Sequence, residues 1–373
     1  MKRSGIADLP LHGGKAPAWL VNRMIKLAHA VILVMLDDFS KEELLRRLSN
    51  PYWFQALSCV LGYDWHSSGT TTVTVGVLKS VFSKHDLGIA IAGGKGIVSR
   101  NTPKELVEIG NKFKFTDEMI DTLVTTSKLV AKVDNTALQD GFQLYHHSFF
   151  VTSEGHWAVI QQGMDPVKRY ARRYHWLSST AGDLINEPHN AIKSEVIREK
   201  VLNLTSRKSE ETRKAIVDLV VDNPNEIKTA YYNLIDPKQT FLFEPKLDLD
   251  IKKLNEIPYL YLPKKFNWKI LDELSELTPT DFKEILLFRG VGPSMLRSLS
   301  LIALLIWGTP ISWEDPAKFS FAHGGKDGIP YPVNVKLMEE VSTYLQEALN
   351  RAKIGDKEKI NAIKRLTKFF AIK

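Results

Sequence analysis

The stretch that decides the fold is Phe142-Gln143-Leu144-Tyr145-His146-His147-Ser148-Phe149-Phe150-Val151-Thr152-Ser153-Glu154-Gly155-His156-Trp157-Ala158-Val159-Ile160-Gln161-Gln162. Two aromatic and β-branched runs flank a short turn that contains glycine, which predicts a β-hairpin. Almost everything around it carries apolar residues at helical spacing. Upstream, 16–35 reads as a helix, Ser40 caps one to about residue 48, Asn50-Pro51 opens another, and 69–82 is a further one. Residues 87–92 predict a short strand that ends in Gly93-Gly94-Lys95-Gly96, and helices start at Thr102-Pro103 and Thr116. Downstream, Asp165-Pro166 reads as an N-cap with proline at the first helical position, opening a helix that carries Lys168, Arg169, Arg172 and Arg173. Residues 192–234 read as helix, broken near Asn223-Pro224. Residues 236–265, rich in Pro, Lys and Asp, read as a linker or extended arm.

The expected class is therefore α+β and mainly helical. A central β-hairpin or small sheet carries packed helices, and a helical C-terminal domain follows. The expected regions are a helical 1–135, a candidate catalytic core 136–235, the linker 236–265, and a nucleic-acid-binding domain 266–373 with a basic last helix.

The chain has 373 residues, 44% hydrophobic and 25% charged, with a formal net charge of +7. That is the profile of a folded protein, and the positive excess favours a polyanionic partner. The single cysteine, Cys59, excludes a disulfide framework or a cysteine zinc site within one chain and reads as a buried small hydrophobe. No signal peptide is expected. The most apolar window, 28–36, is shorter than the roughly 20 residues of a membrane span. Localisation is expected to be cytoplasmic, with no membrane partner, and the sequence leaves oligomeric state open. Abundant Lys, Glu and Ile suit a thermophile.

A second stretch carries the functional expectation: Phe282-Lys283-Glu284-Ile285-Leu286-Leu287-Phe288-Arg289-Gly290-Val291-Gly292-Pro293-Ser294-Met295-Leu296-Arg297-Ser298-Leu299. Gly290 and Gly292 permit a turn whose N–H groups point outward, and the second helix offers its positive dipole end to a phosphate. Val291 is expected between the two helices, with Ser294 at the second helix's start and Arg297 one turn inside, reaching a neighbouring phosphate. A plain turn between core helices is the alternative. The pattern resembles the helix-hairpin-helix of DNA glycosylases, ligases and structure-specific nucleases. That resemblance implies backbone gripping without sequence reading. In helix-hairpin-helix glycosylases a catalytic Asp follows the first Gly by a little over 20 residues, often with a Lys in the hairpin. Here Asp315 follows at 25 and the Lys is absent.

Nearly the whole chain is similar to a family known as domain of unknown function 763, which implies an archaeal or heat-loving bacterial source but no settled activity. The resemblance rests on Ala7-Asp8-Leu9-Pro10-Leu11-His12-Gly13-Gly14-Lys15-Ala16-Pro17, Gly62-Tyr63-Asp64-Trp65-His66-Ser67-Ser68-Gly69, Gln139-Asp140-Gly141-Phe142-Gln143-Leu144-Tyr145-His146-His147, Gln161-Gln162-Gly163-Met164 and Phe321-Ala322-His323-Gly324-Gly325-Lys326-Asp327-Gly328.

Three groups of side chains suggest chemistry. Asp64 and His66 form either an acid–base or metal pair or a satisfied polar cluster. Strand alternation puts Asp140, Phe142, Leu144 and His146 on one face, making Asp140 with His146 the allowed pair. Asp183 and Glu187, near His189, supply later carboxylates. An acid leading a strand hairpin, with acids further on, resembles RNase H-like nucleases. That implies Asp140, Asp183 and Glu187 around Mg²⁺ or Mn²⁺, with Asp140, His146, Glu187, Asp64 and His66 as catalytic candidates. The Gly-Gly-Lys triplets at 13–15, 93–95 and 324–326 lack P-loop spacing. Lys168, Arg169, Arg172 and Arg173, interleaved with Tyr170, Tyr174 and Trp176, form a candidate nucleic-acid surface. The expected function is a DNA-processing metal nuclease. The alternatives are a non-catalytic DNA-binding protein and a divergent glycosylase acting through Asp315.

Overall fold

The computed structural model describes residues 18–62, 69–168, 170–194, 196–222, 224–235, 251–317 and 335–370. Asp64, His66, Arg169 and two Gly-Gly-Lys triplets lie outside the described residues. The first helices are α1 (Ala18–Asp38), α2 (Lys41–Leu48), α3 (Pro51–Leu61) and α4 (Gly69–Lys84), followed by β1 (Ile89–Lys95). Then come α5 (Ile97–Arg100), α6 (Thr102–Phe113), α7 (Asp117–Lys132) and a π-helical turn, Val133–Ala137. The strands are β2 (Leu138–Gln139), β3 (Gln143–Thr152), β4 (Trp157–Met164), β5 (Ala171–Leu177), β6 (Ala191–Ser194) and β7 (Leu202–Asn203). The later helices are α8 (Glu210–Asp222), α9 (Pro224–Ile235), α10 (Ile251–Glu256), α11 (Trp268–Glu276), α12 (Phe282–Leu287), α13 (Pro293–Trp307), α14 (Val335–Arg351) and α15 (Asp356–Phe370).

The class is α+β and mainly helical. Five strands form an antiparallel sheet in the order β1-β3-β4-β5-β6, and β2 pairs separately with β7. Helices cover both faces of the large sheet, which explains why adjacent residues such as Phe149 and Phe150 are both fully buried. Phe149, Val151, Val159, Tyr174 and Trp176 face α7, α8 and α11–α13. Phe150, Ala158, Ile160 and Leu177 face α1–α4, α14 and α15.

Local signals account for several helix starts. Ser40 accepts from the Glu43 N–H, Asn50 from Tyr52 and Trp53, and Thr116 from Met119. Helix α1 has the length and mean hydropathy of a membrane span, longer than the sequence window suggested. It packs on α4 and α14 and buries Met24, Leu27, Val31, Ile32 and Met35. Cys59 is buried and forms no disulfide.

Three expectations fail. No helix follows Asp165-Pro166. Asp165 Oδ1 accepts from the N–H groups of Val167 and Lys168, and its own N–H donates to Tyr170 O, so the segment turns and enters β5. Residues 192–234 begin as strand, through β6 and β7, before α8 and α9. The described end of the expected linker is packed core: Leu254, Leu260 and Leu262 are buried with the α8–α13 helices. Packing also runs across the expected regions. The last two helices join α1 and α3, while α11–α13 join the opposite face.

Candidate functional site

Helices α12 and α13 meet in a short turn. Asp281 caps α12 through the Glu284 N–H at 2.9 Å, and Phe288 leaves the helix in extended backbone. Gly290 has φ +103°, and a Cβ there would stand 2.6 Å from Ile270 Cδ1 on α11, so glycine is required. Val291 buries and donates to Phe288 O at 3.2 Å. Gly292, the N-cap of α13, is extended at φ −136° with nothing within 4 Å of a built Cβ and no side-chain cap. Among the described residues, the N–H groups of Gly290, Gly292 and Ser294 donate no backbone hydrogen bond. Arg289, Gly290 and Ser294 are exposed.

The turn is tied to the π-helical segment on both sides. Lys132 Nζ donates to Val291 O at 2.5 Å, and Gln139 Nε2 donates to Pro293 O at 2.9 Å. Arg297 does not reach outward as expected. It is buried, donates to Gln139 Oε1 at 2.6 Å and Tyr259 O at 2.9 Å, and burial lowers its pKa to about 10. The cation beside the turn is Arg289, which forms no ion pair among the described residues.

Behind the turn, the π-helical segment places the fully buried Asp134 under the sheet. Such segments occur often at functional sites. Asp134 Oδ1 accepts from His189 Nε2, and its Oδ2 accepts from Gln161 Nε2 and from Trp176 Nε1 at 2.9 Å. Gln161 Oε1 accepts from His147 Nδ1 at 2.6 Å, and His147 Nε2 accepts from Ser127 Oγ at 2.8 Å. Burial lowers the His147 pKa against the opposing pull of Gln161 and Asp134, so this ring is neutral. The His189 side chain is 7% exposed, and its Nδ1 has no partner among the described residues. It lies on a loop with two non-glycine residues at positive φ, Leu184 (67°) and Glu187 (47°), which is stored backbone strain.

The expected metal set is not assembled. Asp140 and Asp315 flank Arg172, whose Nη1 donates to Asp140 at 2.8 Å and to Asp315 at 3.0 Å, and whose Nη2 donates to Asp315 at 2.6 Å. Ser194 Oγ and Val196 O take the other two N–H groups, so all five guanidinium donors are used. Asp140 also accepts from Tyr174 Oη and the Phe142 N–H, and Asp315 from the N–H groups of Arg198 and Ala317. Asp183 is held in its own turn by Ile185 and Asn186, and the exposed Glu187 faces Arg207 at 3.7 Å. Among the described residues no three His, Cys, Asp or Glu side chains gather as a metal site.

Asp140 and His146 also lie on opposite faces of the sheet. A bulge at Tyr145 sets Leu144 opposite Gly163 but His146 opposite Gln162, and one inserted residue inverts the alternation that the sequence implied. The basic surface is corrected as well. Arg172, Arg173, Tyr174 and Trp176 are buried in β5 and cannot receive a nucleic acid, which leaves Lys168 and Tyr170 at the surface. Asp134 and Arg289 were missed. Only their position, before a strand and inside the turn, could have pointed to them.

Asp165 makes a testable structural contribution. Burial raises its pKa, but the Arg198 hydrogen bond and the N–H groups of Lys168 and Val167 outweigh that and hold it below 3.8. A depressed carboxylate stabilises the fold above its unfolded value, and the gain is lost as pH falls through the folded value. Asp165→Asn should cost about 1.5–3 kcal/mol at pH 7, the range for hydrogen bonds to a charge. In urea denaturation across pH, that difference should shrink below pH 3.8.

The fold and these centres define an α+β protein with a glycine-containing turn between α12 and α13 and buried charge networks. The chain belongs to a family described as protein of unknown function (DUF763), whose model matches residues 5–333. No curated protein and no solved structure matches it.

Proposed function

We propose that the protein binds the sugar-phosphate backbone of a nucleic acid, DNA in the first instance, through the α12–α13 turn acting as a helix-hairpin-helix, in the cytoplasm. One observation carries the reading. The turn needs glycine at 290 for its backbone, yet at 292 nothing in its φ or its neighbours requires glycine. A bare Gly292 leaves the first N–H groups of α13 open beside the unpaired Arg289, which is the arrangement that attracts a phosphate oxygen. The contact reads phosphates, so affinity is expected to be independent of sequence and to fall steeply with salt.

The test is fluorescence anisotropy of labelled single-stranded, duplex and forked DNA over a salt series. Ser294→Glu puts an acid where a helix tolerates it but a phosphate does not. Arg289→Glu reverses the free cation. Each is expected to weaken binding to every sequence by about tenfold or more at low salt and to flatten the salt slope, while thermal stability stays near wild type. Unchanged affinity in both would overturn the reading.

A second reading, an acid–base enzyme, is favoured by the Asp134–His189 pair. The buried carboxylate orients the ring, and the partner-free Nδ1 is the atom that can take a proton. Lys283 of α12 lies close enough to the same loop to help lower the Asp183 pKa, which places His189 on the side of the molecule that carries the turn. Under this reading Nδ1 accepts a proton from the water that attacks a phosphodiester phosphorus, and the leaving sugar oxygen departs from the opposite side and takes a proton from solvent. Cleavage of bound DNA that persists in EDTA and vanishes in His189→Ala, with affinity retained, is the expected result. DNA bound but uncut in every buffer would remove it.

A further inference from the structure

On the opposite face of the sheet, one row of paired residues crosses all five strands: Lys95, His146, Gln162, Arg173 and Lys193. Three of the five are cations and none is an acid. Arg173 is buried to the same degree as Arg172, its neighbour on β5, but its surroundings differ. Arg172 is held by two carboxylates. Among the described residues Arg173 has none, and only neutral acceptors meet it: His175 Nε2 at 2.8 Å, Thr71 Oγ1 at 3.3 Å and Gln55 Oε1 at 3.5 Å. Burial alone pulls this guanidinium down to about 9. A buried cation without a counter-charge is costly, and folded proteins supply one.

Among the described residues the neighbours that meet Arg173 add donors and no acid. Gln55 on α3 is buried and its Nε2 has no acceptor. His146 is buried, its Nδ1 also has no partner, and its pKa is pushed down to about 3 by burial, with smaller effects from His147 and Lys95. Its Nε2 meets Ser148 Oγ at 2.9 Å, so a neutral ring that accepts there carries its proton on the free Nδ1. The first turn of the sixteen-residue α4 arrives at the same place, since Thr71 bonds both Arg173 and Gln162. Donors of β5 and α3 therefore meet the first turn of α4.

We infer that this cluster is a binding site for a small tetrahedral oxyanion, a phosphate or the phosphoryl group of a small ligand, held by Arg173, Gln55 and the first turn of α4. Donors that arrive from a strand, a buried helix and a helix N-terminus in different directions suit a tetrahedral group better than a planar carboxylate. The site is separate from the α12–α13 turn. It sits on the α3–α4 face, whereas the turn packs on α7 and α8.

The experiment is thermal unfolding and calorimetric titration of the full chain with inorganic phosphate, against chloride at matched ionic strength, and with a 5′-mononucleotide as a second probe. Phosphate should raise the melting temperature of the wild type with concentration, as a ligand of the native state does. Arg173→Met should abolish the shift and Gln55→Met should weaken affinity severalfold. Ser294→Glu should leave both intact. A mononucleotide that binds more tightly than phosphate at the same residues identifies a phosphorylated ligand, and equal affinity identifies free phosphate. If Arg173→Met does not fold, Gln55→Met decides. No phosphate effect on the wild type overturns the site. So does an effect untouched by Arg173→Met and Gln55→Met, or one lost only in Ser294→Glu. A shift that arises only in Asp64→Asn would show the chain's own carboxylate filling the place, and overturns it equally.

Discussion

Arg172→Met should destabilise the protein by about 3–5 kcal/mol at neutral pH, the cost of breaking a buried ion pair by removing one partner. Arg172 has side-chain exposure of 0%, and Asp140 and Asp315 have 1% and 2%. Methionine fills the volume but leaves two carboxylates facing one desolvated place. Asp140 then supplies a signature in pH. Burial already pushes its pKa up, Arg172 opposes that, and Asp315 adds to it. Without Arg172 only the raising influences stand against the N–H of Phe142 and the hydroxyl of Tyr174. A group whose folded pKa is raised stabilises fully below its unfolded value, near 3.8, and the gain is lost as pH rises through the folded value. The variant should therefore recover part of its deficit relative to wild type as pH is lowered from 7 toward 5. Denaturant unfolding at those two pH values checks both halves. A loss under 1 kcal/mol, or a deficit that grows in acid, would show that the triad does not hold β5 to the segments around Asp140 and Asp315.

The triad also shows where sequence reading stopped. The hairpin was legible because aromatic and β-branched runs around Thr152-Ser153-Glu154-Gly155 meet the local requirements of strand and turn. Caps at Ser40, Asn50 and Thr116 were legible for the same local reason. Lys168, Arg172 and Arg173 were misread because a run of basic residues after an Asp-Pro looks the same whether it opens a helix or follows an Asx turn into a strand. What separates these cases is the placement of Asp140, Asp315 and Asp134, distant in sequence and satisfied only in three dimensions. The Asp140–His146 pair failed on one residue, Tyr145, whose bulge has no signature in composition. Arg297 failed because helical spacing gives an angle around an axis. Which side of that axis is buried was decided by Gln139 and Tyr259. That Gly290-Val291-Gly292 turns between two helices was legible because glycine and proline signal it locally.

The second large effect is expected at Asp134. Asp134→Ala strips the acceptor from three donors at once, His189 Nε2, Gln161 Nε2 and Trp176 Nε1. An unsatisfied buried donor costs about 1–3 kcal/mol, and partial rearrangement of Gln161 makes about 3–5 kcal/mol the reasonable total. Asp134→Asn discriminates between a structural and a chemical role. Its amide oxygen can serve Gln161 and Trp176 where Oδ2 does now, at a cost of about 1–2 kcal/mol for the lost charge. Its NH₂ then faces His189 Nε2, which must become an acceptor, so the ring proton moves to Nδ1. Nitrogen-15 shifts of His189 should report this exchange of tautomers, with Nε2 protonated in the wild type and Nδ1 protonated in the variant. The same exchange removes the lone pair from the atom that would take a proton, so any turnover at this centre should fall far more than stability does. A variant that keeps the wild-type tautomer would show that Asp134 does not set the His189 proton, and the pair would then be a packing feature of the sheet.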